Sequence, residues 1–220
     1  MQNAVRRNAA RWLLAGKEAT VVRMALASRF AALFSKPRQK LANRFLLYEY
    51  VSREIIRERS FDYLEFGVFQ GESISRVAAL NAHPGVRLFG FDSFEGLPAD
   101  WNERNPKGTF NAKGQMPVTD DPRITFVKGW FDRTLPAFVV GYRPQEQIWI
   151  HIDADLYGSA MAVLILLNPY IKPGTVIVFD EVEDLMNEFR ALCDYQDVSG
   201  KELDLIASTV SGRQAAFLCR

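Results

Sequence analysis

The chain has 220 residues, of which 48% are hydrophobic and 24% charged, so it can form a core and is not a wholly disordered chain. No uninterrupted apolar run reaches membrane-spanning length, and two cysteines, Cys193 and Cys219, provide neither a disulfide scaffold nor a zinc site. The net charge of +1 conceals two parts of opposite sign. Residues 1–60 carry thirteen Lys or Arg against four Asp or Glu, whereas residues 61–220 carry fourteen against twenty-two. We therefore expect a basic arm over residues 1–60 and an acidic domain over residues 61–220, in a reducing compartment such as the cytoplasm.

The basic arm is predicted to be helical. Leu26, Phe30 and Leu33 follow helical spacing within the Ala- and Arg-rich residues 4–34, and a second helix is expected from Gln39 to about Arg59. The favoured role of the arm is packing against the domain or against a second copy, so a homo-oligomer is expected. The alternatives are a cover over the active site, a helix on an anionic membrane surface, and a transit peptide.

From residue 61 onward, short runs rich in Val, Ile and Phe alternate with segments of helical length. Strands are predicted at Phe61–Val68, Val86–Ser93, Ile124–Trp130, Gln147–Asp155, Thr175–Asp180, Leu203–Val210 and Arg213–Arg220. Helices are predicted at Glu72–Asn81, near Asp132–Val140 and at Ser159–Tyr170. The alternation indicates an α/β fold with a doubly wound, mostly parallel sheet of seven strands. The last two strands surround Ser211-Gly212, which indicates that the sheet ends in an antiparallel hairpin.

The connection between the second and third strands of the domain is unusually long. Residues 95–122 contain three Gly, four Pro and scattered polar side chains. Loops of this length are commonly functional, and this one leaves the carboxyl edge of the sheet, where open α/β folds bind ligands. We therefore favour a lid over the site, with a surface insertion as the alternative.

A glycine-containing turn follows the first strand of the domain, in the segment EFGVFQGES that spans residues 65–73. Gly67 and Gly71 permit a tight turn and a close approach of the backbone to a ligand. Ser73 falls in the first turn of the next helix, where its hydroxyl and free N–H groups can hold a carboxylate. The two glycines are four residues apart and do not match the dinucleotide pattern G-x-G-x-x-G, so a pyrophosphate site is disfavoured.

Asp92 ends the second strand, about twenty residues beyond the glycine turn. A carboxylate at this position can accept hydrogen bonds from both hydroxyls of a ribose. This position does not distinguish NAD from S-adenosylmethionine, because both contain ribose. The alternative for Asp92 is a residue that caps a helix or stabilises a turn.

Acidic side chains follow two strands that should be neighbours in the sheet. Asp153 and Asp155 end the fourth strand, and Asp180 and Glu181 end the fifth. Carboxylates this close together disfavour ionisation unless a cation neutralises them, and oxygen ligands suit Mg²⁺ or Ca²⁺. The alternative is that these acids only cap helices and occupy loops. His151, inside the fourth strand, is expected to be a packed, hydrogen-bonded residue and not a catalyst.

Five segments occur in an order that resembles a known family: EFGVFQGES, GFDSFEGLP, KGWFDRTLP, HIDADLYGSA and VIVFDE. Together they resemble the macrocin-type sugar O-methyltransferases, which use S-adenosylmethionine and Mg²⁺ and have the Rossmann-like fold of class I methyltransferases. The first segment also resembles catechol O-methyltransferase. The resemblance covers residues 61–190 approximately and leaves the arm outside.

The resemblance implies a role for each matching residue. The cofactor-binding residues would be Glu65, Gly67, Gly71, Ser73, Asp92, Ser93, Gly129, Trp130 and Asp153. The metal ligands would be Asp153, Asp180 and Glu181, and Asp155 would be the general base. Two positions depart from the family pattern, because Glu181 stands where a second Asp is usual and Glu72 stands where a Gly is usual.

These patterns predict a metal-assisted O-methyltransferase that acts on a hydroxyl of a small molecule, such as a sugar or another natural-product moiety. The acidic domain argues against a nucleic-acid partner at this face, and integral membrane association is not expected. Two alternatives are a nicotinamide-dependent oxidoreductase and a non-catalytic binding module. The glycine spacing and the closing hairpin disfavour the first, and the intact carboxylate group disfavours the second.

Overall fold

The computed structural model describes residues 19–35, 39–57 and 59–220. The chain divides into two compact units, Met1–Pro37 and Arg38–Arg220. In the first unit, residues 19–34 form helix α1, in which the rings of Phe30 and Phe34 stack with centroids 4.3 Å apart. The predicted helix is confirmed over these residues, and the part of the prediction that falls on residues 4–18 lies outside the described residues.

The described part of the second unit contains eight strands and five α-helices. The strands are β1 (Gln39–Leu41), β2 (Asp62–Phe66), β3 (Arg87–Asp92), β4 (Ile124–Lys128), β5 (Ile148–Ile152), β6 (Val176–Phe179), β7 (Leu203–Thr209) and β8 (Ala215–Cys219). The helices are α2 (Arg44–Tyr50), α3 (Glu72–Leu80), α4 (Phe131–Gly141), α5 (Tyr157–Leu167) and α6 (Glu188–Ser199). A π-helical turn, Val51–Ile56, continues α2, and a 3-10 turn, Asn168–Tyr170, continues α5.

All eight strands form one sheet in the order β1-β7-β8-β6-β5-β2-β3-β4. Strand β8 runs antiparallel to both β6 and β7, and the remaining neighbouring pairs are parallel. Strands β2, β5 and β6 are buried along their whole length, as expected where helices cover both faces of a sheet. The predicted mostly parallel α/β fold with a closing antiparallel hairpin is confirmed. No helix in the described ranges is long and apolar enough to cross a membrane.

The prediction of a single helix from Gln39 to Arg59 is wrong. Residues Gln39–Leu41 form β1, which pairs with β7 in parallel, and Asn43 then caps α2 through its side-chain oxygen. The helical backbone ends at Ile56, because Arg57 adopts a left-handed conformation with φ of 55°. Strand β1 exists only through pairing with residues far along the chain, and no local pattern reports such pairing.

Two further differences concern the count of elements. The sheet has eight strands and not seven, since β1 extends its edge, and α6 was not predicted at all. Because β1 and α2 belong with the sheet, the second compact unit begins at Arg38, whereas the charge pattern suggested a boundary at residue 60.

Candidate active site

A cleft of about 1370 Å³ opens at the carboxyl ends of β2, β3, β5 and β6. Its volume exceeds the roughly 300–1,000 Å³ typical of ligand pockets, so it has room for two small molecules side by side. The predicted site residues that line it are Gly67, Ser73, Asp92, Ser93, Trp130, Asp153, Asp155, Asp180 and Glu181. Glu65, Gly71 and Gly129 are not among the lining residues.

The Asp92 carboxylate accepts hydrogen bonds from the turn after β2 and from the turn after β3, at one side of the cleft. Its Oδ2 accepts hydrogen bonds from the N–H groups of Val68 and Phe69, both at 2.8 Å, and its Oδ1 accepts one from Phe94 at 2.7 Å. The carboxylate therefore does stabilise turns, which was the alternative to ribose binding. Oδ2 therefore already accepts two hydrogen bonds, whereas Oδ1 accepts one and can accept a further one. The ribose role of Asp92 stays a prediction.

Glu65 lies behind the wall of the cleft and is fully buried. Its Oε1 accepts a hydrogen bond from the Ser73 hydroxyl at 2.7 Å, and its Oε2 accepts one from the Tyr63 hydroxyl at 2.6 Å. Ser73 is the member of this group that lines the cleft. Glu65 therefore reaches a ligand in the cleft only through Ser73 in this conformation.

The other two predicted residues outside the wall shape the backbone. Gly71 has φ of 79° and precedes α3, and a Cβ at this position would lie 3.0 Å from Pro117. Gly129 has φ of 139° and donates its N–H to the carbonyl of Asp92 at 2.8 Å. Both glycines adopt conformations that side chains disfavour, next to segments that form the cleft.

Gly67 allows the ends of β2 and β5 to approach each other. Its φ is 101°, and a Cβ at this position would lie 1.8 Å from the carbonyl oxygen of Asp153. The sequence predicted that this glycine permits a close approach of the backbone to a ligand, and this stays a prediction. In the structure Gly67 also permits the close approach of the Asp153 backbone. Gly67 thus sets the position of Asp153 in the cleft.

Replacing Gly67 with Ala is expected to destabilise the protein by about 3 kcal/mol or more, because both the contact and the dihedral angle are unfavourable. Urea unfolding measures the change. Gly158→Ala is the control, because Gly158 lies in α5 and a Cβ added there would have no heavy atom within 4 Å outside its own helix backbone and chain neighbours. This variant should tolerate Ala without loss of stability. Equal stability of the Gly67 variant and the wild type would contradict this account of the turn.

Four acidic side chains converge at the tips of β5 and β6. Asp153, Asp155 and Glu181 offer oxygen atoms within 4.8 Å of one another, and Asp153 and Asp180 form a second such group with a ring nitrogen of His151. The predicted convergence is therefore confirmed. In these positions burial, followed by repulsion from neighbouring carboxylates, raises the pKa of Asp155 and of Glu181 to about 7.

The raised pKa of Asp155 predicts a pH dependence of stability in the metal-free protein. Between about pH 4 and 7 the folded protein retains a proton at Asp155 that the unfolded chain has released. The free energy of unfolding is therefore expected to fall as the pH rises through this window. Asp155→Asn removes the titration. In denaturant unfolding with a chelator present, the free energy of unfolding of the variant relative to that of the wild type should rise by about 1 kcal/mol or more from pH 5 to pH 8. A constant difference would show that Asp155 is not desolvated.

His151 lies fully buried between two carboxylates. Its Nδ1 is 2.7 Å from the Tyr63 hydroxyl, and its Nε2 is 3.7 Å from Oδ1 of Asp180 and 3.4 Å from the Tyr48 hydroxyl. Burial lowers the pKa of the imidazole, but hydrogen bonds and charges from Asp180 and Glu65 outweigh this and raise it to about 9. The predicted packed, hydrogen-bonded role is confirmed. In return, His151 and Gln214 hold the pKa of Asp180 below its usual value despite burial.

Glu188 supports the site from α6, and sequence reasoning missed it. The side chain is fully buried; its Oε1 accepts hydrogen bonds from the N–H groups of Ala154 and Asp155, and its Oε2 accepts one from Glu181 at 2.9 Å. This one carboxylate therefore joins the tips of β5 and β6. It also contributes to the left-handed backbone of Asp155, whose φ is 57°.

Arg213, in the turn between β7 and β8, was also missed. Its Nε donates to Oε1 of Glu181 at 3.0 Å, and its Nη2 donates to the same oxygen. The other oxygen of Glu181, Oε2, is buried and has no hydrogen-bond partner among the described residues. A buried oxygen without a partner thus belongs to a carboxylate that comes within 4.8 Å of Asp153 and Asp155.

The long segment 95–122 forms part of the cleft wall through Leu97, Pro98 and Phe110. The indole N–H of Trp101 in this segment donates a hydrogen bond at 2.7 Å to Asp184, which lies between β6 and α6. The segment therefore borders the site as expected of a lid, and its opening and closing stay a prediction.

Both the sequence and the fold are similar to those of known methyltransferases. A family model described as "Methyltransferase domain" matches residues 64–182, more than half of the chain. The 8-demethyl-8-(2,3-dimethoxy-alpha-L-rhamnosyl)-tetracenomycin-C 4'-O-methyltransferase of Streptomyces olivaceus is 32% identical in an alignment of length 154. The match covers 59% of this chain and 58% of that protein. The chain thus spans less than two thirds of that relative's length.

Two solved structures share the fold at low sequence identity. The calicheamicin methyltransferase CalS11 superposes with a TM-score of 0.61 at 22% identity and covers 91% of this chain and 92% of its own. An O-methyltransferase from Bacillus cereus, in complex with S-adenosylhomocysteine, gives 0.53 at 14% identity and 90% coverage of both chains. The Streptomyces relative confirms the resemblance to sugar O-methyltransferases, and the chain belongs to the methyltransferase-domain family.

Proposed function

We propose that this protein transfers a methyl group from S-adenosylmethionine to a hydroxyl of a small molecule, assisted by a divalent cation. The observation that carries the proposal is the convergence of Asp153, Asp155, Asp180 and Glu181 in a cleft at the carboxyl edge of a methyltransferase fold. The named activities of the Streptomyces relative and CalS11 support methyl transfer. The Bacillus cereus structure supports the donor, because it contains S-adenosylhomocysteine.

S-adenosylmethionine supplies an electrophilic methyl group on a sulfonium. On the side of the cleft formed by β2, β3 and the start of α4, Ser73 would contact the methionine end, Asp92 and Ser93 the ribose, and Trp130 the adenine. Glu65 would support Ser73 from behind, while Gly67, Gly71 and Gly129 would shape the backbone. Holding the donor in line with the acceptor hydroxyl is expected to supply much of the acceleration.

The acidic residues fit a hard divalent cation. Asp153, Asp180 and Glu181 would hold it, since carboxylate oxygens are the ligands that Mg²⁺ prefers. Oε2 of Glu181 is buried without a hydrogen-bond partner among the described residues, and a bound cation would satisfy this oxygen. When bound, a cation of this kind lowers the pKa of a coordinated hydroxyl and fixes its position.

Asp155 would act as the general base. Its carboxylate lies in the cleft within 4.8 Å of Asp153 and Glu181, close to where the acceptor hydroxyl would be held. Its pKa, raised to about 7, suits a group that must accept a proton near neutral pH, and the charge of a bound cation would bring the pKa down from this value.

The acceptor is proposed to be a sugar or another natural-product moiety with a free hydroxyl. The rhamnosyl group in the name of the Streptomyces relative supports a sugar. We also propose that copies of the chain associate through the arm. A cytoplasmic location is proposed as well, and the small number of cysteines, two in 220 residues, supports it.

Binding of the donor product distinguishes this function from the nicotinamide alternative. S-adenosylhomocysteine at 100 times its Kd should stabilise the protein by about 2.7 kcal/mol, and NAD should not. Thermal unfolding with each compound, followed by titration calorimetry, measures both. Asp92→Asn should weaken S-adenosylhomocysteine binding, whereas Asp204→Asn, on the exposed side of β7, should not. Stabilisation by NAD alone would contradict the proposal.

A further inference from the structure

The positive charge next to Glu181 in this structure comes from the protein itself. Arg213 gives two N–H groups to a single oxygen of Glu181 and leaves the other oxygen without a partner among the described residues. Glu181 is only 3% exposed, whereas the side chain of Arg213 is 48% exposed. A buried acid is thus paired with a cation that has one side in solvent.

A second carboxylate lies within reach of the same guanidinium. Arg213 Nε is 4.0 Å from Oε1 of Glu183, whose side chain is 50% exposed. The main chain of Arg213 is anchored, because its carbonyl accepts a hydrogen bond from Val182 at 2.8 Å. A small rotation of the side chain would therefore exchange Glu181 for Glu183 without moving the backbone.

A divalent cation at Glu181 and the guanidinium of Arg213 repel each other. At a separation of about 6 Å, the repulsion between a double and a single positive charge would lower the affinity for the cation roughly tenfold, even at the dielectric constant of water. The effect would be larger in a partly buried site. Arg213 also orients Glu181, and losing an orienting partner typically weakens metal binding by about 10- to 100-fold. Because Glu181 is buried, we expect the repulsion to be the larger effect.

We infer that Arg213 competes with the divalent cation for Glu181 and moves to Glu183 when the cation binds. This inference rests on the proposed metal role of the site. It assigns to Arg213 and Glu183, two residues outside the matched family segment, control over the metal affinity. The protein would then respond to the concentration of divalent cation and not hold it permanently.

Binding of Mn²⁺, measured by calorimetry or by electron paramagnetic resonance without donor or acceptor, tests the inference. Arg213→Gln should bind Mn²⁺ about tenfold tighter or more. Arg213→Lys keeps the charge and should stay within about threefold of the wild type. Glu183→Gln removes the second partner and should bind more weakly. Arg133→Gln is the control, since Arg133 lines the cleft, pairs with Asp132 and should leave the affinity unchanged.

The outcomes separate this inference from the proposed function. Unchanged or weaker binding in Arg213→Gln, with measurable binding in the wild type, overturns the inference alone. Absence of Mn²⁺ binding in the wild type and in every variant overturns both. Binding by Arg213→Gln but not by the wild type supports the inference. Thermal unfolding without metal checks that each variant is folded, and Glu183→Gln tests the exchange independently of Arg213.

Discussion

Asp155→Asn is expected to lower the rate of methyl transfer by about two to four orders of magnitude, because an amide cannot accept the proton of the acceptor hydroxyl. The change is conservative in shape, and Asn tolerates the left-handed backbone with φ of 57° at this position. Affinity for S-adenosylhomocysteine should therefore stay close to that of the wild type. Transfer to hydroxyl compounds from a panel of sugars, phenols and polyketides, followed by release of S-adenosylhomocysteine, gives the rates.

A matched control for Asp155→Asn is Asp132→Asn. Asp132 also lines the cleft, but its side chain is 64% exposed and pairs with Arg133. This variant should keep the wild-type rate. Full activity in Asp155→Asn would remove the general base from the mechanism, and a parallel loss of donor binding would show that the residue positions the donor instead.

Removal of the divalent cation is the second change with a large expected effect. Lewis-acid stabilisation supplies several kcal/mol in metal-assisted reactions, so a chelator should slow transfer by about 100-fold or more, and added Mg²⁺ should restore it. Asp180→Asn should weaken Mg²⁺ binding, because it removes the charge of a proposed ligand and leaves Glu65 as the one carboxylate beside His151 among the described residues.

The metal effect has its own control in Asp194→Asn. Asp194 accepts a hydrogen bond from Tyr157 and pairs with Arg190, but it is not part of the acidic cluster. Its substitution should leave both the chelator sensitivity and the Mg²⁺ affinity unchanged. Turnover at the full wild-type rate in excess chelator would show that the carboxylates serve a purpose other than metal binding.

The sheet and the acidic cluster could be predicted because both follow from local rules. Asp153 and Asp180 directly follow buried strands, and parallel strands end at the same edge of the sheet, so their meeting follows from alternation of strands and helices alone. The glycine turn and Asp92 follow from the same argument. In both cases a helix that the sequence predicts connects the two strands: α3 lies between β2 and β3, and α5 lies between β5 and β6.

Other parts of the site depend on contacts that sequence reasoning could not locate. Glu188 reaches the tips of β5 and β6 from α6, a helix for which no motif gave a signal. Arg213 meets Glu181 only because the turn before β8 folds back beside β6. Strand β1 is extended only because β7 lies next to it, and its three residues taken alone gave no reason to interrupt a helix.

The departures from the family pattern also have structural consequences. Glu181, where the resemblance predicts Asp, carries both an ion pair with Arg213 and an unpartnered oxygen. Glu72, where the resemblance predicts Gly, forms an ion pair with Arg44 of α2 at 2.5 Å and lines the cleft. Both substituted residues therefore connect the matched segment to parts of the chain outside it, where differences in specificity are expected.

The central claim is that the tips of β5 and β6 hold a divalent cation beside the bound donor. Anomalous diffraction from a crystal with Mn²⁺ and S-adenosylhomocysteine tests it directly. We predict a single anomalous peak among Asp153, Asp180 and Glu181, at about 2.0–2.2 Å from their oxygens. A crystal that contains S-adenosylhomocysteine in the cleft but has no Mn²⁺ peak at these carboxylates would contradict the account.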